Sequence, residues 1–319
     1  VLDSGWVTQG PKVKEFEEMS IKDIKEKTRA FLKIQEGCNQ YCSYCIIPYA
    51  RGPIRSRNKL EIIKEVKSLV DIGFKEVVLT GIHVASYGKD LKEKDALLEL
   101  LKEVNNIEGL ERIRLSSIEP TLFTDDFLKE ISKVTKLCEH FHLSLQSGCD
   151  KILKKMNRKY TTVEYREIVK KIRSAYSKVA LTTDIIVGFP GETEEDFEET
   201  YKFVKEIAFS DIHVFKYSQR KGTPAATFEE QVDGRTKHIR SEKLIELGEA
   251  LKKDYYKLFI GSVKTVLFET VSKEKEDYIE GFTDNYLKVL AKGDETLEGE
   301  LKSVKLKSFE NEFILGEIM

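Results

Sequence analysis

Six short runs of β-branched and aromatic residues, at 30–35, 76–80, 112–116, 140–145, 180–187 and 212–217, alternate with segments of helical period. That alternation is the strongest constraint on the fold, because strand–helix repeats bury both sets of apolar faces in a parallel sheet covered by helices. The segment 60–72 carries apolar residues at 60, 62, 63, 66, 69 and 70, one continuous helical face. Comparable patterns lie near 93–105, 124–134, 162–175 and 194–207. Thr193 precedes Glu194, Glu195 and Asp196, a capped helix start whose acids meet the helix dipole and serve capping rather than catalysis. The expected class is α/β, a partial (β/α)6 TIM-like barrel over residues 29–256. After a turn at Gly222-Thr223-Pro224, a long helical pattern runs from about 233 to 259. Beyond it, short alternating runs at 263–269, 286–290 and 304–307 predict a small C-terminal β-barrel over residues 257–319.

With 319 residues, 40% of them apolar, the chain can fill a large core and a small appendage, and 34% charged residues give it a solvated surface. No apolar run approaches the roughly 20 residues that span a bilayer, and no charged segment leads into an apolar one at the start, so no membrane association and a cytoplasmic location are expected. The formal net charge of −2 supplies no global attraction for a polyanion. Residues 1–28 are polar and read as a linker. Of the five cysteines, Cys138 and Cys149 stand apart and read as small buried apolar residues. The other three fall within eight residues, which suits metal ligation in a reducing compartment better than disulfides.

Those three, Cys38, Cys42 and Cys45, form a C-x3-C-x2-C motif directly after the first strand run. In a parallel α/β barrel the loops at the C-terminal ends of the strands build the active site, so this loop faces the cavity. Three thiolates can hold three irons of a 4Fe-4S cluster and leave the fourth open to a small molecule. Structural zinc is the alternative, but it prefers four closed ligands. No fourth cysteine or histidine is local, and His83 reads as a packed or hydrogen-bonded residue.

The motif with its flanks, residues 29–38 and Ile46-Ile47-Pro48-Tyr49-Ala50-Arg51-Gly52, resembles the radical S-adenosylmethionine (SAM) tRNA methylthiotransferases. Within them the chain is similar to the branch acting on N6-threonylcarbamoyladenosine. Further matching segments are Thr80-Gly81-Ile82-His83, residues 115–120, residues 143–149, Met156-Asn157-Arg158 and Val187-Gly188-Phe189-Pro190-Gly191-Glu192, most of them at the ends of expected strands. The resemblance implies the radical SAM fold, a 4Fe-4S cluster on Cys38, Cys42 and Cys45, and SAM as cofactor. It also implies that a 5′-deoxyadenosyl radical removes the C2 hydrogen of the adenosine at tRNA position 37, where a methylthio group is added. The cofactor offers an amino group, a carboxylate, a ribose and an adenine. Glu119 is a candidate acceptor for the amino group or ribose, Arg158 for pairing with the carboxylate, and Gly81 for close backbone approach. A turn glycine, a helix-entry acid and a solvated basic loop are the alternatives for these three. Tyr44, Thr80, Ser117, Gln146, Ser147 and Asp184 complete the candidate set with Val187, which lines an adenine slot or ends a buried strand. No residue is assigned a catalytic role.

Two basic stretches, Arg51 with Arg55, Arg57 and Lys59, and Lys151 with Lys154, Lys155, Arg158 and Lys159, are candidate phosphate contacts or solvated faces. The C-terminal region resembles the TRAM RNA-binding domain of these enzymes. From Lys257 onward it holds nine Lys or Arg against thirteen Asp or Glu, a formal −4, so RNA binding there requires a local face such as Lys288 with Tyr286 or Phe282. The family's partners are a tRNA anticodon stem-loop and an electron donor of flavodoxin or ferredoxin type. Its members carry an N-terminal domain with three further cysteines for a second 4Fe-4S cluster. Residues 1–28 contain no cysteine, so the expectation is a shortened form that cleaves SAM without methylthiolating tRNA. Two other readings stay open: the sister branch that modifies an aspartate of a ribosomal protein, and a non-catalytic RNA-binding module with a structural metal.

Overall fold

The computed structural model describes Phe16 and residues 28–319, so the linker expected over residues 1–28 lies almost wholly outside the described residues. The elements run β1 (Arg29–Glu36), α1 (Ile47–Arg51), β2 (Arg55–Ser56), α2 (Lys59–Asp71), β3 (Glu76–Gly81), α3 (Ala96–Asn105), β4 (Arg112–Leu115), α4 (Asp125–Ile131), β5 (His140–His142), α5 (Asp150–Lys155), α6 (Thr162–Ala175), β6 (Ala180–Val187), α7 (Glu194–Ile207), β7 (Asp211–Lys216) and α8 (Gly234–Lys257). Five further strands follow, β8 (Val263–Val271), β9 (Tyr278–Thr283), β10 (Lys288–Lys292), β11 (Leu301–Glu310) and β12 (Phe313–Ile318). The helices begin where the sequence supplies caps. Asn58 accepts from Leu60 N at the start of α2, and reciprocal capping boxes, Thr161 with Glu164 and Thr193 with Asp196, open α6 and α7. The Thr193 acids therefore serve capping, as expected.

β1, β3 and β4 pair in parallel with Arg29 opposite Glu76 and Glu76 opposite Arg112, and the short β2 folds back antiparallel on the end of β1. A second sheet, β5-β6-β7, is also parallel and sets Asp184 opposite His213. The two sheets join only through single bridges, Ile113 to Leu137 and Ile118 to Leu143. The six parallel strands expected are present, and the fourth repeat's strand, β5, is cut short after His142. Leu145 N donates to the Thr183 hydroxyl at 3.0 Å instead of to a backbone carbonyl, and Gln146 takes a left-handed conformation with φ of 71°. The run expected to extend as strand through Leu145 becomes an irregular arm after His142.

One contiguous apolar core fills the space between strands and helices, from Ala30, Leu32 and Ile34 through Val204 and Leu244. Cys138 and Cys149 are each 2% exposed, as small core residues, and burial pushes both thiols up to about 12. The last five strands close into a barrel in the order β10-β12-β11-β8-β9 around Val266, Phe268, Val289, Leu306 and Ile314. α8 connects the two bodies: Gly248 lies so close to β7 that a Cβ there would sit 2.6 Å from Ile212 Cγ1, while Tyr256 and the following Phe259 enter the small core.

The small barrel seats against the N-terminal ends of the large barrel's strands. Arg112 donates to the carbonyls of Phe282 and Thr265 at 3.0 and 2.7 Å, and Arg114 donates to the Asp284 carbonyl at 3.0 Å. Glu76, fully buried, is the countercharge: it lies 2.7 Å from Arg114 Nε and 3.6 Å from Arg112 Nη1. Burial alone would raise its carboxyl, but the arginines outweigh burial and hold it below the usual carboxylate range. Among the described residues, no helix is long and apolar enough to cross a membrane.

Removing one partner of a buried charge cluster leaves the others uncompensated. Glu76→Gln should therefore cost about 3–5 kcal/mol in urea unfolding, and an unchanged midpoint would refute the assignment. Because the folded-state value is depressed, this contribution is present above the unfolded value of 4.5 and disappears as pH falls through the folded value. The acid-induced loss of stability should accordingly be smaller in the variant.

Candidate cluster and cofactor site

The cysteine loop springs from the end of β1 and is fixed on three sides. Gly37 has φ of 72°, and a Cβ there would lie 1.9 Å from the Pro53 carbonyl oxygen, so only glycine fits the close approach. Cys38 N donates to Gly52 O at 3.1 Å. Ser43 anchors the middle of the loop: its N donates to Met156 O at 3.1 Å, its hydroxyl to Lys155 O at 2.8 Å, and its carbonyl accepts from Ala225 N at 2.8 Å. Asn157 adds a hydrogen bond to the Tyr41 carbonyl at 2.8 Å. The loop thus bears on α5 and on the segment after β7.

Cys42 is buried, and Cys38 and Cys45 are partly exposed. Burial first, then the neighbouring cysteines, pushes the thiols of Cys38 and Cys45 up, so thiolates at this site call for a bound metal to replace the protons. His83 does not extend the donor set, because its nitrogens lie 2.5 Å from Glu119 Oε2 and 2.5 Å from Ser86 Oγ. Three thiols on one loop, with no fourth ligand joined to them among the described residues, fit a 4Fe-4S cluster with one open iron and leave structural zinc incomplete.

Beside the loop, Arg158 Nη1 lies 3.3 Å from Cys42 Sγ and Nη2 lies 3.7 Å from Glu119 Oε1. Its Nε donates to Tyr160 OH at 3.0 Å, and Tyr160 in turn donates to the Leu145 carbonyl at 2.8 Å. Glu119 also accepts from Gln40 Nε2 at 2.9 Å. Burial would raise its carboxyl, but His83 and Arg158 outweigh burial and hold it below the ordinary range. A carboxylate and a guanidinium fixed together beside the thiols can receive an ammonium and a carboxylate from one small molecule.

The structure therefore brings Cys38, Cys42, Cys45, Glu119 and Arg158 together and adds Gln40 and Tyr160, which sequence reasoning passed over, with Gln40 inside the motif itself; His83 joins them as the hydrogen-bonded residue expected. Tyr44 packs edge-on to Phe189 at 6.4 Å, on the inner side of the loop. Thr80 and Ser117 line a cavity in the barrel interior. The close approach that Gly81 permits is that of Gln35, whose atoms would meet a Cβ at 3.0 Å. Gln146 is buried with its backbone on Asp184 and Ile186, Ser147 turns its hydroxyl to Thr200 at 3.2 Å, and Val187 sits in the core. Asp184 does not reach the Glu119 group and instead meets His142 and His213.

Both basic stretches change meaning in three dimensions. Arg55 and Arg57 are buried and face Glu36 and Glu65, and Lys59 lies 2.6 Å from Glu103. Lys151 and Lys155 pair with Asp196 and Glu230, and the Arg158 side chain is only 8% exposed. The residues suggested as an RNA face on the small barrel are occupied too: Tyr286 stacks on His140 at 4.8 Å, Phe282 packs on Tyr286, and Lys288 pairs with Glu274 and Glu280. Alternation and charge counts in the sequence are blind to these cross-chain partners.

The model of the Radical SAM superfamily matches residues 32–204. The chain is 46% identical over 298 residues to threonylcarbamoyladenosine tRNA methylthiotransferase MtaB of Bacillus subtilis, covering 92% of this chain and 66% of that one. It is 47% identical over 295 residues to tRNA-2-methylthio-N(6)-dimethylallyladenosine synthase of Clostridium botulinum, with the same coverage. The chain thus spans slightly less than two thirds of the length of these relatives. Among solved structures, it is similar in fold to the radical SAM methyltransferase TsrM of Kitasatospora setae, with a TM-score of 0.52 at 17% identity over 62% of this chain and 38% of that one. Methylornithine synthase superposes with a TM-score of 0.50 at 15% identity, covering 71% of this chain and 68% of the other. With a matching model over more than half its length and a three-cysteine loop following its first strand, the chain belongs to the radical SAM superfamily.

Proposed function

We propose that this chain is the radical-generating part of a tRNA methylthiotransferase that modifies C2 of N6-threonylcarbamoyladenosine at position 37, in the anticodon stem-loop. The observation that carries the reading is the joint placement of Cys38, Cys42 and Cys45 with Arg158 and Glu119 at one strand-end site. It is supported by likeness at 46% and 47% to tRNA methylthiotransferases over 92% of the chain.

In this reading the three cysteines hold three irons of the cluster, Arg158 receives the carboxylate of SAM and Glu119 its amino group. Held there and reduced by a flavodoxin- or ferredoxin-type donor, the cluster with SAM would supply radical chemistry for breaking the C–H bond of the target carbon. The protein's own part is to hold the cofactor in one pose and to keep Glu119 ionised through His83, Gln40 and Arg158. Arg51, Lys154, Lys159, Arg220 and Lys221 are exposed near the loop and are the cations we assign to phosphate contact, in the cytoplasm where tRNA is modified. The threonylcarbamoyl branch is taken from the resemblance of the sequence to that branch, with 46% identity to one of its members over 298 residues. The C-terminal barrel serves in this reading as a TRAM-like module.

After anaerobic reconstitution the chain should hold about four irons. Cys42→Ser should lose the brown chromophore and reductive SAM cleavage, and retention of both would overturn the cluster assignment. Arg158→Lys keeps the charge but not the fork, so calorimetric titration with SAM should show roughly tenfold weaker binding with iron content unchanged. In cells lacking the protein, mass spectrometry of tRNA should show the 2-methylthio derivative gone and N6-threonylcarbamoyladenosine accumulating. Loss of the dimethylallyl derivative instead would transfer the chain to the other branch.

A further inference from the structure

Three adjacent parallel strands aim His142, Asp184 and His213 at one another. Asp184 and His213 are register partners on β6 and β7, so their side chains leave the sheet on the same side, and His142 on β5 lies opposite Thr182, two residues before Asp184. His142 Nε2 stands 3.2 Å from Asp184 Oδ2 and His213 Nδ1 stands 3.4 Å from Asp184 Oδ1. One ligand atom from each residue lies within 4.8 Å of the others. Donors bound at 2.0–2.2 Å to one ion in tetrahedral or octahedral geometry stand about 3 to 3.5 Å apart, so both close contacts fall in that range.

Two observations separate this group from an ordinary ion-paired cluster. His142 Nε2 is buried and has no hydrogen-bond partner, although a carboxylate oxygen is 3.2 Å away; the contact fails on direction rather than on distance. The other nitrogen of the same ring, Nδ1, lies 3.0 Å from Thr182 Oγ1, which orients the imidazole and leaves Nε2 for a ligand. Thr182 Oγ1 also lies 3.2 Å from His140 Nε2, and the His140 ring stacks on Tyr286 of the small barrel. The ligand group is thus braced from the floor of the barrel. His142 and His213 both line a cavity of about 280 Å³ that also reaches Thr80 and Ser117.

We propose that His142, Asp184 and His213 form a divalent-cation site of the zinc or iron(II) class, separate from the cysteine loop. Two imidazoles and one carboxylate without sulfur select borderline ions rather than the cluster, and three protein ligands leave open coordination positions toward the cavity. Water or an oxygen of a molecule entering the barrel completes the shell.

The test uses the full chain with its cluster loaded, incubated anaerobically with zinc chloride, passed through gel filtration and measured for both metals. The wild type should retain about one zinc per chain with iron unchanged, and zinc should raise its melting temperature. Asp184→Asn and His213→Ala should each lose most of the retained zinc and the thermal shift at unaltered iron content. His213 is the more exposed of the two, so its variant keeps the test valid if the Asp184 variant does not fold. The proposal is overturned by no retained zinc, by zinc gained only at the expense of iron, or by zinc retained equally in the variants.

Discussion

Glu76 is the charge on which the two-body arrangement depends. It sits at the start of β3 with no exposure, and its negative charge is tolerated only because Arg112 and Arg114 on the next strand reach it. The same two guanidiniums donate to carbonyls of the small barrel, and Arg29 on the opposite neighbour pairs with Glu269 at 2.6 Å. Arginine suits this position because its forked donors satisfy a carboxylate and a backbone oxygen simultaneously. The floor of the large barrel is therefore polar and largely ion-paired, with Tyr286 laid over Arg114 and His140 as the lid. Chemistry is left to the opposite, strand-end face.

At that face Glu119 has the corresponding role. It collects Gln40 from the cysteine loop, His83 from the segment after β3 and Arg158 from the turn after α5, so one carboxylate ties three chain segments to the end of β4. Because Arg158 also touches Cys42, the position of the cofactor groups is coupled to that of the cluster loop. Local glycine and serine contacts give the loop its shape, and the Glu119 network gives it its place.

The electrostatics of the surface carry a different lesson. A stretch such as Arg55, Arg57 and Lys59 looks like a phosphate contact when acids distant in sequence are ignored; Glu36, Glu65 and Glu103 neutralise it in space. The Arg220-Lys221 pair remains exposed after β7, and Arg51, although paired with Glu36 at 3.2 Å, keeps its side chain largely in solvent. Arg220 is near enough to lower the Cys45 thiol against the effect of burial. Positive charge is concentrated where a polyanion would meet the site, although the chain as a whole is slightly acidic.

The sequence by itself determined the strands and helices with strong periodicity, the capped start of α7, and the C-x3-C-x2-C loop at the end of β1. These are properties of neighbouring residues, and hydrophobic period and cap chemistry act over a single turn or strand. The branch at Leu143 to Gln146 was not legible, because it is produced by the Thr183 hydroxyl on another strand. Nor were the partners of Glu119, the neutralised arginines, or the use of Tyr286 and Phe282 as an interdomain stack, each made by residues far apart in the chain. Only the tertiary structure decided those, since a charge or ring acquires its role from what packing brings within hydrogen-bond reach. The three cysteines announced a metal site, and the fold supplied the guanidinium, carboxylate and imidazole that surround it.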